Sequence, residues 1–209
     1  MGRKRRSPYR GADHRSRAAR AAGYPARSVF KLSEIDRRVR LLRQGQHVLD
    51  LGAAPGSWSA YAAERVGGNG RVVAVDLQEM RTALGPNCTV LQADALDLDA
   101  QEIARFAPYD VVLSDMAPNT CGDKSTDQWR SYHLFAGAVA AADRWLAEGG
   151  SFVGKLFMGA SYEEARQSLR ERFDKVRTIR PQGTRRESYE VFLVGLTAKR
   201  SGQTPEPSE

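Results

Sequence analysis

The chain has little cysteine, little histidine and no long apolar run. Its two cysteines, Cys88 and Cys121, offer no disulfide framework and fit a reducing compartment. His14, His47 and His133 are scattered, so no metal-ligand cluster is expected and zinc is not called for. No stretch reaches the roughly 20 apolar residues that would cross a bilayer. The opening stretch, "MGRKRRSPYRGADHRSRAARAAG", lacks the apolar segment of a secretory signal. With 209 residues, 41% of them hydrophobic, the composition predicts a single globular domain with a sizeable core.

Acidic residues are scarce only at the N-terminus. Residues 1–27 carry Arg3, Lys4, Arg5, Arg6, Arg10, Arg15, Arg17, Arg20 and Arg27 against the single acid Asp13, a local charge of +8. The whole chain is +7, so everything after residue 27 is close to neutral. A basic arm of this kind suits a polyphosphate, whose condensed counterions are released when Lys and Arg neutralise it. Tyr9 and Tyr24 among the arginines favour nucleic acid over a merely solubilising tail.

The rest alternates regularly. "SVFKLSEIDRRVRLL" (28–42) places Phe30, Ile35, Val39 and Leu42 on one helical stripe, with Ser28 as the expected cap. Short β-branched runs follow at 47–51, 71–77, 89–94, 110–115 and 151–157, separated by helical patterns at 57–66, 99–106, 129–147 and 161–173. Near-continuous apolar strands between helices predict a parallel sheet covered on both faces. The last two runs, 175–181 and 189–198, lie too close for a helical crossover and predict an antiparallel pair at one edge. Residues 199–209 read as a disordered tail.

The first strand ends in "DLGAAPGSW" (50–58). In open α/β sheets the ligand sits beyond the carboxyl ends of the strands, so this turn is the candidate binding loop. Gly52 and Gly56 would let the backbone approach a ligand closely. The pattern is not the dinucleotide G-x-G-x-x-G, because Pro55 intrudes and removes an N–H that a pyrophosphate would want. Asp76 ends the second strand, where an acid can hold both hydroxyls of a ribose. Asp94, ending the third, is placed to take an adenine amino group. Together these residues resemble the cofactor site of a class I S-adenosylmethionine-dependent methyltransferase.

Strand four ends "SDMAPN" (114–119). No aromatic follows Pro118, as a base-amino methyltransferase would use to stack a flipped base. Asn119 stands where RNA cytosine-C5 enzymes place a cysteine, and Cys121 falls in the same loop, a bystander. A hydroxyl acceptor remains. Lys155 interrupts the apolar strand "SFVGKLF", where a cation is expensive unless paired. With Lys31, Asp115 and Glu190 it resembles the K-D-K-E tetrad of RNA ribose 2′-O-methyltransferases.

Through "GYPARSVFKLSEID", "VLDLGAAPGSWSAYAAERVG", "DVVLSDMAPNTCG", "GGSFVGKLFMG" and "RRESYEVFLVG", the chain is similar to the FtsJ/RrmJ heat-shock methyltransferase family from about Tyr24 to Ala198. That resemblance implies a Rossmann-like fold with a seven-stranded sheet. It implies Gly56, Trp58, Asp76, Asp94 and Asp115 as S-adenosylmethionine contacts, and Lys155 as proton acceptor beside Lys31 and Glu190. It further implies a monomeric cytoplasmic enzyme that methylates a uridine ribose in the peptidyl-transferase A-loop of 23S ribosomal RNA on the large subunit. The expected organisation is an RNA-binding arm (1–27), a catalytic domain (28–198) and the tail (199–209). Two departures stand out: Ser57 replaces a common glycine, and Tyr189 a frequent arginine. Transfer RNA or cap 2′-O-methylation, and a silent RNA-binding assembly factor, are the competing readings.

Overall fold

The computed structural model describes residues 9–80, 82–97, 100–182 and 188–199, the side chains of 9–13 and 100 excepted. Seven strands form one sheet: β1 (His47–Leu51), β2 (Arg71–Asp76), β3 (Cys88–Gln92), β4 (Tyr109–Ser114), β5 (Leu146–Phe157), β6 (Phe173–Ile179) and β7 (Glu190–Ala198). Their order is β3-β2-β1-β4-β5-β7-β6. Pairings from β3 to β5 are parallel, and β7 runs antiparallel to both β5 and β6. The expected antiparallel pair therefore stands at the edge, with the last strand inserted inside β6. The order reverses between β1 and β4, which makes their carboxyl ends the switch point where a ligand is received.

Helices cover both faces because successive strand residues point to opposite sides. Val48, Val72, Val111, Val153 and Phe192 face α2 (Val29–Val39) and α3 (Ser57–Val66), which contribute Leu32, Ile35, Trp58, Ala62 and Val66. Leu49, Val73, Val112 and Leu193 lie in the opposite core with Ile103 of α4 (Ala100–Ala104), Phe135 of α5 (Lys124–Trp145) and Leu169 of α6 (Tyr162–Arg172). No helix among the described residues is long and apolar enough to cross a membrane.

Several expectations shift. Ser28 does not cap α2: its own backbone is already helical (φ −58°, ψ −25°), so its hydroxyl cannot swing onto the first turn. Its carbonyl instead accepts the Trp58 indole N–H at 2.9 Å. Helix α5 begins at Lys124 instead of 129, capped by Asp123, whose carboxylate accepts the Thr126 amide. It ends at Trp145, where the chain passes directly into β5; Leu146 and Ala147, expected in the helix, are strand. β6 likewise starts at Phe173, straight after α6. Within the expected arm, Tyr9–Ala21 forms a further helix, α1. Ala19 is wholly buried and the Ala26 amide donates to Ser57 Oγ at 2.8 Å, so the serine that departs from glycine ties the chain before α2 to the body. Residues 1–8 and 200–209, covering most of the expected tail, lie outside the described residues, as do 183–187.

Candidate active site at the carboxyl ends of the strands

The turn after β1 is already satisfied by the protein. The Gly52 and Ala53 amides both donate to Val75 O, Ala54 N donates to Asp76 Oδ2 at 2.9 Å, and Gly56 N donates to Ala53 O. Pro55 has none to give. A pyrophosphate would therefore find no row of free amides before the first turn of α3, where helix geometry leaves N–H groups unpaired. Both glycines are required locally. Gly52 has φ +74° and Gly56 φ +100°, and a Cβ would strike Met116 at the first and approach Met80 Sδ to 3.0 Å at the second. The close approach they allow is to neighbouring loops of the protein.

Asp76 ends β2 as expected. Its Oδ1 accepts the Gln78 amide and its Oδ2 that of Ala54, which fixes the carboxylate and leaves further lone pairs for hydroxyl donors. Asp94 lies two residues beyond the end of β3, exposed, with Oδ1 accepting the Leu96 amide. Trp58 is a buried residue in the first turn of α3: its ring packs against Phe192, the residue opposite Lys155, and its indole N–H donates to Ser28 O. Deep beneath the turn lies Asp50, fully buried, its Oδ2 accepting the Ser59 hydroxyl at 2.6 Å.

The four residues of the tetrad form two ion pairs. Lys155, 7% exposed, donates from Nζ to Asp115 Oδ1 at 2.9 Å and also to the Asp115 carbonyl. Lys31 Nζ lies 2.6 Å from Glu190 Oε1. Strand register brings the pairs together. Lys155 stands opposite Phe192 across β5 and β7, and Lys31 Nζ lies 5.6 Å from the centre of the Phe192 ring. Lys155 and Glu190 thus project from one face of the sheet, where α2 delivers Lys31 and the end of β4 delivers Asp115. A lysine holding two acceptors from one aspartate has a single direction left, for a third hydrogen bond or a lone pair.

Asp36 was not among the expected site residues, yet it holds Lys31 in place. This 3% exposed carboxylate accepts the Leu42 amide through Oδ1, and the Tyr61 hydroxyl and Arg65 Nε through Oδ2. It bolts α2, with Lys31, to α3, and raises the Tyr61 phenol well above its ordinary value through burial and this bond. Asp36→Ala strands the buried Leu42 amide and takes the acceptor from Tyr61, while the half-exposed Arg65 turns to water, and we expect a loss of about 2 kcal/mol of stability, read from denaturant midpoints at unchanged m-value. Asp127 acts similarly on the loop after Asp115: it accepts the Cys121 amide at 2.9 Å, and the Cys121 thiol lies 3.4 Å away. Tyr189 packs edge-on against Phe157, with the Lys124 ammonium 5.6 Å from its ring centre.

Known proteins share this arrangement of sequence and fold. The model of the FtsJ-like methyltransferase family matches residues 24–198. A "Ribosomal RNA large subunit methyltransferase E" from Sorangium cellulosum is 60% identical over 96% of this chain and 95% of its own length. A protein of the same name from Nitratidesulfovibrio vulgaris is 50% identical over 91% of this chain and 96% of its own. Among solved structures, one assigned as a ribosomal RNA methyltransferase from Plasmodium falciparum superposes with a TM-score of 0.75 at 24% identity, over 84% of this chain and 98% of that one, a likeness of fold. With the family model matched over residues 24–198 and a relative 60% identical along 96% of its length, this chain belongs to the FtsJ-like methyltransferase family.

Proposed function

We propose that the protein transfers a methyl group from S-adenosylmethionine to the 2′-hydroxyl of a uridine ribose in the A-loop of 23S ribosomal RNA, on the large ribosomal subunit. It works as a cytoplasmic monomer. The observation that carries the reading is the meeting of Lys155–Asp115 with Lys31–Glu190 at the carboxyl ends of the strands. The names of its relatives supply the substrate class.

The residues present fit the cofactor. Asp76 offers a fixed carboxylate for ribose hydroxyls, Asp94 an exposed one for the adenine amino group, and the Gly56–Trp58 backbone the edge of the amino-acid moiety. The bound cofactor supplies an electrophilic methyl group. The protein must orient the acceptor oxygen and remove its proton. Asp115 takes two of the Lys155 nitrogen's directions, so the third is aimed at the 2′-oxygen; Lys155 first gives one proton to solvent, and the lone pair of the neutral amine then takes the proton of the 2′-hydroxyl, which restores the ammonium. Lys31, held by Glu190 and the Phe192 ring, supports the sugar beside it. Alignment of this kind supplies roughly 7–11 kcal/mol in favourable systems. The basic arm holds the RNA backbone.

The test incubates the protein with methyl-labelled S-adenosylmethionine and either 50S particles, free 23S RNA or bulk transfer RNA, then maps the product by ribose-methylation sequencing. We expect label in 50S particles at one uridine of the A-loop. Label confined to transfer RNA, or binding without transfer, overturns the reading.

A further inference from the structure

Tyr189, where the sequence departs from a frequent arginine, has no part in the chemistry above, yet it directly precedes Glu190 of the tetrad. Its backbone is pinned on both sides. The Tyr189 carbonyl accepts the Met158 amide at 2.8 Å, the Ser188 carbonyl accepts Arg180 Nη2 at 2.5 Å, and the Ser188 hydroxyl accepts the Glu190 amide at 3.3 Å. The ring is partly exposed. Phe157, the register partner of Glu190, meets it edge-on, with 4.9 Å between centroids and 72° between planes. Burial, Asp127 and Cys121 raise the phenol above its ordinary value, so the ring borders the loop that follows Asp115 and stays neutral. From the first turn of α5 the exposed Lys124 ammonium stands 5.6 Å from the ring centre. A fixed, neutral aromatic ring thus lies on the rim of the tetrad, with the cations of Lys124 and Arg180 close by.

Such a pairing fits RNA, and the inference rests on the RNA substrate proposed above. Phe157 lies two residues past Lys155, about 7 Å along the strand, so the ring beside it stands one step from the reacting ribose and not over it. Unpaired bases of RNA loops are held by stacking on aromatic rings, while their phosphates seek cations. We propose that Tyr189 stacks the base of a nucleotide adjoining the methylated one and that Lys124 meets that nucleotide's phosphate, which keeps the target ribose in line with Lys155. The ammonium over the ring yields to the base. An exposed cation–π contact is weaker than base stacking, and the flexible lysine stem carries the charge on to the phosphate. An arginine would combine both tasks in one planar, charged group; here two side chains divide them.

Loss of the ring therefore acts on substrate binding, which methyl transfer by the full-length protein to 50S particles at varied concentration reads. We expect Tyr189→Leu to raise KM by about ten- to a hundredfold, with kcat and S-adenosylmethionine affinity within about threefold of wild type. Tyr189→Phe, which keeps the ring without the hydroxyl, retains most of the wild-type affinity. A residue that merely held Glu190 or the loop after Asp115 would behave otherwise: Tyr189→Leu would lower kcat, and Tyr189→Phe would share the loss through its missing hydroxyl. Should Tyr189→Leu fail to fold, Lys124→Gln still reads the site, since it changes an exposed position in a helix capped by Asp123. It flattens the slope of log(1/KM) against log salt by about 0.7, the worth of one single-stranded phosphate. Wild-type KM in Tyr189→Leu, a loss confined to kcat, equal losses in the Leu and Phe variants, or an unchanged salt slope in Lys124→Gln overturns the proposal. Wild-type protein that labels no RNA overturns the functional reading instead.

Discussion

Lys155→Ala lowers the rate of methyl transfer by about 10²–10⁴-fold, the usual worth of a positioned proton acceptor, with S-adenosylmethionine affinity within roughly threefold of wild type. The split follows from the site. Among the described residues the Lys155 nitrogen donates to Asp115, while the residues assigned to the cofactor's ribose and adenine, Asp76 and Asp94, are held by backbone amides of their own loops. Lys155→Arg does not rescue the loss, since a guanidinium keeps its proton and cannot accept another. A purely structural lysine behaves otherwise. Replacing one member of a buried ion pair by an apolar side chain of similar volume then affects stability, not turnover. Lys155→Met separates the cases: single-turnover transfer measured beside thermal unfolding should show the rate lost in a folded protein. Turnover at wild-type speed in Lys155→Met removes the assignment.

The strands were legible because their apolar runs are short, β-branched and bounded by turn residues, as at "HVLDL" and "RVVAVDL". Local pattern does not extend to register. That β7 lies between β5 and β6 is fixed by pairs such as Lys155↔Phe192 and Ile179↔Phe192, long-range choices that no single run announces. Helix ends failed where the helix is polar or the turn is absent. The first turn of α5, "KSTDQ", carries no apolar stripe, and its start is marked only by Asp123. Helix α1 was missed because "RSRAARA" has no hydrophobic periodicity beyond alanine, although alanine and arginine are strong helix formers. The tetrad was found through resemblance, since separately each member passes as a surface charge. Asp36 and Asp50 passed unseen for the opposite reason. Their burial and their partners, Tyr61 and Arg65 for one and Ser59 for the other, exist only after α3 has packed.

Substituting Arg3, Lys4, Arg5 and Arg6 by serine weakens RNA binding by up to about a thousandfold near 0.1 M salt, if all four meet phosphates. Each neutralised phosphate contributes roughly 0.7–0.9 to the slope of log affinity against log salt, so the slope flattens by about three. The substitution is preferable to deleting residues 1–27, because the latter part of that segment belongs to the folded body. Ala19 is buried, Arg15 donates to Gln182 O at 3.2 Å, and the Ala26 amide is held by Ser57. Deletion would disturb α2, and with it Lys31, so lost activity could not be traced to lost charge. The serine variant leaves these contacts intact. Its affinity for S-adenosylmethionine should equal that of wild type, and the two proteins should converge in RNA affinity near 1 M salt, where counterion release no longer drives binding. A slope unchanged by removing four of the nine basic residues in this segment would mean that the arm is a solvated tail and that the RNA is held elsewhere.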